Sequence, residues 1–229
     1  MKTKIFILKE HEHEMFRHVF EPVRDKIAVL KILLNSVDYI LHSFDNESCD
    51  IQDNDINTNN NIKFILSINK HSRILFCSSE KIFSIIFPFH YDEKQAALYF
   101  YDLKIHQGIT SYAREMLKFL ENNGSELFSN KLIDFYVENF YEVRNCDANS
   151  THINDAVTIL NNLFLFEDGY IRYDNDPEHE NGNLHPLHHY DVFYDDKNTF
   201  KIGLSSEIGY KEFIELLDCS KERSFLYKK

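Results

Sequence analysis

Apolar residues recur every three or four positions between residues 14 and 44: Phe16, Val19, Phe20, Val23, Ile27, Leu30, Leu34, Val37 and Leu41. That spacing lays them along one helical face, so the stretch predicts one long helix or a broken pair. Pro22 marks a helix start or a kink, because proline has no amide hydrogen for a helix interior. Residues 45–61 are acidic and asparagine-rich with few apolar anchors, which predicts a flexible loop. The pattern then changes to short β-branched and aromatic runs over 62–68, 73–79, 81–89 and 96–105. Polar breaks at 69–72 and 91–95 join them into an expected antiparallel meander.

Helical spacing returns over 111–122, where Ala113, Met116, Leu117 and Leu120 share a face, Thr110 is the expected cap and Asn123-Gly124 the stop. Residues 132–143 have the length of a helix and the aromatic content of a strand, and are read as a helix. Residues 154–164 predict a further helix with Val157, Leu160 and Phe164 on one face. A strand follows the turn at 166–169, and a hairpin is expected from 188–194 and 199–205 about a turn at 195–198. A last helix over 209–219 carries Phe213, Leu216 and Leu217. Together these predict a single α+β domain over 1–229. Its antiparallel sheet combines a central meander with a C-terminal hairpin, packed with several helices and opened by a long N-terminal helix.

Composition adds constraints. Hydrophobic residues are 43% of the 229, enough for a sizeable core, with 20 Phe, 13 Tyr and no Trp. Only 6 Gly and 4 Pro argue against a loop-rich sandwich. The formal charge of −12 repels phosphate backbones, so nonspecific duplex DNA binding is not expected. Lys63, Lys70, His71 and Arg73 are too sparse for a nucleic-acid footprint. An acidic protein can still cleave RNA where its site is locally positive or metal-charged. Cys49, Cys77, Cys146 and Cys219 contain no C-x-x-C pair and read as free thiols. The apolar run at 5–8 is too short for a secretory signal, and no run approaches the ~18 apolar residues of a membrane span. A soluble, cytoplasmic protein is expected. His11, His13 and His18 near the first helix read as a solvated helix start, because their spacing matches no ligand set.

Candidate chemistry concentrates in residues 170–194, YIRYDNDPEHENGNLHPLHHYDVFY, with His179, His185, His188 and His189 among the chain's 12 histidines. Strand alternation puts Arg172 and Asp174 on one face, opposite Ile171 and Tyr173. It likewise groups His189 with Asp191, and His188 with Tyr190. The polar loop 175–187 between the strands has the length at which loops are often functional, and Pro186 restricts how the imidazoles beside it point. Two chemistries use such groups. Imidazoles with a carboxylate bind a divalent transition metal, for which His179, His189 and Asp191 are the candidate ligands. Alternatively, Arg172, Asp174, His185, His188 and His189 form a catalytic set without metal. One histidine is then base, another acid, and Arg172 stabilises a developing anion. A solvated loop with hydrogen-bonded structural histidines is the plain alternative.

The stretch RYDNDPEHENGNLHPLHHYDV resembles a bacterial domain-of-unknown-function family with an RYD…HPxxH core. More distantly, it is similar to the TumE-type toxins of toxin–antitoxin systems. Arg172, Tyr173, Asp174 and Asn175 match the first element of that pattern. Pro177 and His179 match with changed spacing, and His188 and His189 match the second histidine pair. Leu187 stands where a proline precedes that pair, and Asp191 replaces its final histidine. The resemblance implies a sheet-borne Arg/Asp/His site in a toxin–antitoxin or phage-defence setting. The expected function is a hydrolase effector, nuclease or phosphodiesterase-like, with RNA or a nucleotide as substrate and an antitoxin or other protein as partner. The alternatives are a non-enzymatic regulatory or protein-binding module, and a purely structural cluster.

Overall fold

The computed structural model describes residues 2–8, 10–21, 23, 25–43, 63–68, 72–92, 94–123, 150–166, 169–195 and 198–218. The sequence readings at 45–61 and 132–143 lie outside them. The chain divides into two compact units. One comprises Met1–Glu14, Cys49–Ile86 and Gly169–Lys229, the other Met15–Ser48 and Phe87–Asp168. The fold class is α+β, as expected.

The first unit is built on a seven-stranded antiparallel sheet in the order β1-β2-β3-β4-β8-β9-β10. Its strands are β1 (Lys2–Ile7), β2 (Lys63–Ile68), β3 (Arg73–Cys77), β4 (Lys81–Ile86), β8 (Tyr170–Asn175), β9 (His188–Asp195) and β10 (Asn198–Gly203). The β2–β3–β4 meander and the β9–β10 hairpin form where the alternating runs place them. Strand β8 joins them into one sheet, with Phe83 opposite Arg172 on one side and Asp191 opposite Arg172 on the other. Strand β1 is an addition to the sequence reading. Its apolar run is short, and its partner β2, with Ile5 opposite Ile65, comes much later in the chain.

Alternation gives the sheet two faces. On one, Ile65, Leu75, Cys77, Ile82, Tyr173 and Tyr190 form a core with Phe213 of the C-terminal helix Tyr210–Leu217. That helix starts after Gly209, whose amide donates to Glu212 Oε2 at 3.0 Å. Phe213 is fully buried, whereas Leu216, expected beside it, points outward. On the other face Phe64, Phe76, Phe83, Tyr170 and Phe193 form an aromatic ladder with successive centroids 5.1, 6.3, 5.0 and 5.1 Å apart. Arg172, Asp174, His189, Asp191 and Lys201 continue this face past the ladder.

The helical opening is a broken pair: α1 (Glu10–Phe16), a 3-10 turn (Arg17–Phe20) and α2 (Lys26–Ser43). The second unit contains that 3-10 turn, α2, and the strands β5 (His90–Asp92), β6 (Ala97–Phe100) and β7 (Leu103–Ile105). It also holds α3 (Gln107–Asn123) and α4 (Ser150–Leu165); the C-terminal helix is α5. The run 96–105 therefore leaves the meander and folds into a separate three-stranded sheet. Within that sheet the run is broken into β6 and β7 by a turn at Tyr101, which takes a left-handed φ of 52° without being glycine. No glycine advertises it. Helix α3 begins before Thr110, whose hydroxyl donates to the buried Asp38 carboxylate of α2 instead of capping. In α4 the buried face is Ile153, Ala156, Ile159, Leu160 and Leu163, rotated from the expected one. No helix of the described residues is long and apolar enough to cross a membrane.

Removing the Phe213 ring leaves a cavity between α5 and the sheet. Phe213→Ala is expected to lower stability by about 3–5 kcal/mol, read from the urea midpoint at unchanged slope.

Candidate functional site: a buried ionic cluster beside a histidine loop

Arg172 and Asp174 lie two apart on β8 and so project from the same face. The guanidinium donates through Nε to Asp174 Oδ1 at 2.6 Å and through Nη2 to Asp174 Oδ2 at 2.7 Å, a two-pronged pair. Nη2 also donates to Asp191 Oδ2 at 3.1 Å, from the residue directly opposite Arg172 on β9. Arg172 is 3% exposed and Asp174 2%. Burial works against the guanidinium charge, but the hydrogen bonds and charge of Asp174, with Asp191, outweigh it and raise the Arg172 pKa above its ordinary value.

His189 is opposite Asp174 on β9, and Lys201 is opposite Asp191 on β10. His189 Nδ1 lies 2.8 Å from the Pro186 carbonyl oxygen. A carbonyl only accepts, so Nδ1 carries the proton. Nε2 of the neutral ring is then a bare lone pair, and it accepts from Lys201 Nζ at 3.0 Å. Burial, first, and the Lys201 charge push the His189 pKa down, against the raising effects of Pro186 and Asp174. Lys201 Nζ also lies 3.8 Å from Asp191 Oδ2. Two cations and two carboxylates thus balance, with a neutral imidazole closing the cluster. Gly203, opposite His189, makes room for it: a Cβ there would stand 2.8 Å from Pro186 Cγ.

The loop after β8 is built rather than open. Asp176 N–H donates to the Leu187 carbonyl at 2.9 Å, and Asn181 N–H to the His185 carbonyl at 2.8 Å. Gly182 supplies the left-handed φ of 51° at the tip. His185 Nδ1 donates to the His179 carbonyl at 2.6 Å, which leaves its Nε2 as acceptor when the ring is neutral. That Nε2 is 3.7 Å from Asp176 Oδ2. His179 Nδ1 donates to Asp176 Oδ1 at 2.9 Å. Desolvation alone would raise the Asp176 pKa, but hydrogen bonds from His179 and the nearby imidazoles lower it on balance. The His185 ring is 4.9 Å from the His189 ring and 5.9 Å from that of His179.

Of the five candidate catalytic residues, Arg172, Asp174 and His189 share the cluster and His185 adjoins it. His188 does not. It projects from the opposite face, with Nδ1 2.9 Å from the Tyr173 hydroxyl. Burial, in the main, raises the Tyr173 pKa, so this phenol keeps its proton. The candidate metal set is not assembled. Among the described residues no group of three or more His, Cys, Asp or Glu could hold a metal ion. His179 is turned to Asp176, both His189 nitrogens are engaged, and Asp191 is bound to Arg172. Near the chain start, His13 is not simply solvated: its Nε2 donates to the Leu8 carbonyl at 3.1 Å.

Lys201 and Asp176 are absent from the sequence reading. Lys201 had a signal, because alternation in 199–203 sets it apart from Phe200 and Ile202. Its approach to His189 depends on the hairpin register. Asp176 had none beyond its place next to the Arg-Tyr-Asp-Asn run. No family model matches the chain, and no curated protein or solved structure is similar enough to match it.

Arg172→Met removes the cation and leaves two carboxylates facing each other. The expected cost is roughly 3–5 kcal/mol, measured by chemical denaturation. His189 binds its proton less readily folded than unfolded. Its contribution is therefore fully present above the unfolded pKa near 6.5 and is lost as pH falls below it. The thermal midpoint should fall between about pH 7 and pH 5, and His189→Asn should flatten that fall.

Proposed function

We propose that the chain is a hydrolase that cleaves phosphodiester bonds without a metal, acting on RNA or a nucleotide as an effector in a toxin–antitoxin or phage-defence setting. The observation that carries this reading is the pair of orientation-locked imidazoles, His185 and His189, with rings 4.9 Å apart beside the Lys201 ammonium. In this reading His185 Nε2, bare while Nδ1 is held by the His179 carbonyl, takes the proton from the attacking hydroxyl as its oxygen bonds phosphorus, and the oxygen of the P–O bond that breaks leaves with a proton from water. Lys201 holds the phosphoryl oxygen where charge develops. Neutral His189 orients Lys201 without adding charge to it. Arg172, engaged by two carboxylates, positions Asp191 and Asp174 rather than binding phosphate, which changes the role expected for it from sequence. The acidic surface favours a small or single-stranded substrate over a duplex.

That same engagement of Arg172 favours a second reading, a protein-binding module whose exposed histidine loop responds to pH. The test is turnover of single-stranded RNA oligonucleotides and of bis(4-nitrophenyl) phosphate in excess chelator. His185→Ala and Lys201→Met should each lower the rate by about 100-fold or more with an unchanged circular dichroism spectrum. Wild-type rates in His185→Ala, or cleavage only with added metal, would sink this metal-free hydrolase mechanism. No turnover of either substrate would favour the module.

A further inference from the structure

A second histidine pair lies in the other unit. His106 immediately precedes α3, and its carbonyl accepts the Ile109 and Thr110 amides at 3.0 and 3.3 Å, so it occupies the cap position of that helix. His152 is in the first turn of α4. Their rings meet edge to face with centroids 4.3 Å apart. Gly108 lies against this contact: a Cβ on it would come within 3.1 Å of His152 Nδ1 and 3.3 Å of His106 Nδ1. A side chain at position 108 would press on both rings.

We propose that the His106–His152 contact is an acid-sensitive latch between the N-terminal ends of α3 and α4, closed when the rings are neutral and released when both are protonated. Two features make the doubly charged state unfavourable. Two imidazoliums at this separation repel, and each sits at the positive end of a helix, where a cation is disfavoured. Partial desolvation where the rings meet, then the charge of His152, lowers the His106 pKa, and Asp155 opposes both. The surrounding charged and titratable groups are few. Asp155 lies on α4, one turn beyond His152. On α2, His42 hydrogen-bonds Gln107 at 3.2 Å, and Asp38 is paired with Arg114 of α3 at 2.7 Å. Lys104 belongs to β7, just before His106. Asp155 opposes the repulsion within the pair, and so it tunes the pH of release.

The test is amide hydrogen exchange, expressed as protection factors so that intrinsic pH effects cancel. It reads Ile109 and Thr110 of α3 and the 154–156 amides of α4 at about pH 7.5 and about pH 5, in the histidine titration range. Protection at these amides should drop by about ten-fold or more on acidification in the wild type, and stay flat in His106→Gln. Asp155→Asn should move the drop to lower pH, because the proton on the pair loses its counter-charge. Gly108→Ala should show reduced protection at both pH values. Equal protection at both pH values in the wild type, or the same drop in His106→Gln, would overturn the latch. His106 is exposed, so its replacement tests the contact without endangering the fold.

Discussion

Arg172 carries a full positive charge at a place water hardly reaches, and the C-terminal half of the large sheet is arranged to hold it there. A guanidinium in such a place is tolerable only with carboxylates at hydrogen-bond distance. Asp174 comes from the same strand, two residues on. Asp191 comes from the neighbouring strand and can arrive only in one register of β8 against β9. A one-residue slip would turn Asp191 to the opposite face, among Tyr173, Tyr190 and Phe213. The ion pair therefore opposes misregister as much as it adds stability.

The same register explains why the two sheet faces differ so sharply. Phe83 sits opposite Arg172 from β4, and Tyr170 stacks on Phe193 one step along the strands, so the ladder ends where the charges begin. Ring faces exclude water from one flank of the cluster while Lys201, 45% exposed, keeps the other flank wet. His189 lies at that boundary with no exposure at all, its ring turned by the Pro186 carbonyl and its lone pair filled by Lys201. A histidine so held changes charge reluctantly. Both of its ring nitrogens are engaged, whereas the His185 ring beside it lies nearer to water.

Much of this was legible from residue pattern. The β2–β4 meander, the β9–β10 hairpin, strand β8 and the helix around Phe213 follow from local periodicity. Arg172 with Asp174, and His189 with Asp191, follow from alternation alone. The failures have two causes. Strand β1 and Thr110 turning to Asp38 depend on partners distant along the chain, whereas the departure of 96–105 into its own sheet and Lys201 reaching His189 depend on turn geometry and hairpin register. Tyr101 is the sharpest case, since nothing local marks an aromatic residue as the one that takes a left-handed turn.

The sequence by itself determined which residues share a face, because side-chain direction along a strand or helix follows from backbone geometry over a few residues. It also concentrated four histidines with Arg172, Asp174 and Asp191 between residues 170 and 194, with Lys201 outside that stretch. Only the tertiary structure decided which faces meet. It set His188 against Tyr173 and away from the cluster, and kept His179, His189 and Asp191 from forming a ligand set. It also brought Lys201 and the Pro186 carbonyl to the two nitrogens of His189. Those outcomes rest on strand register and on competition for hydrogen-bond partners, and both are settled only when distant segments pack.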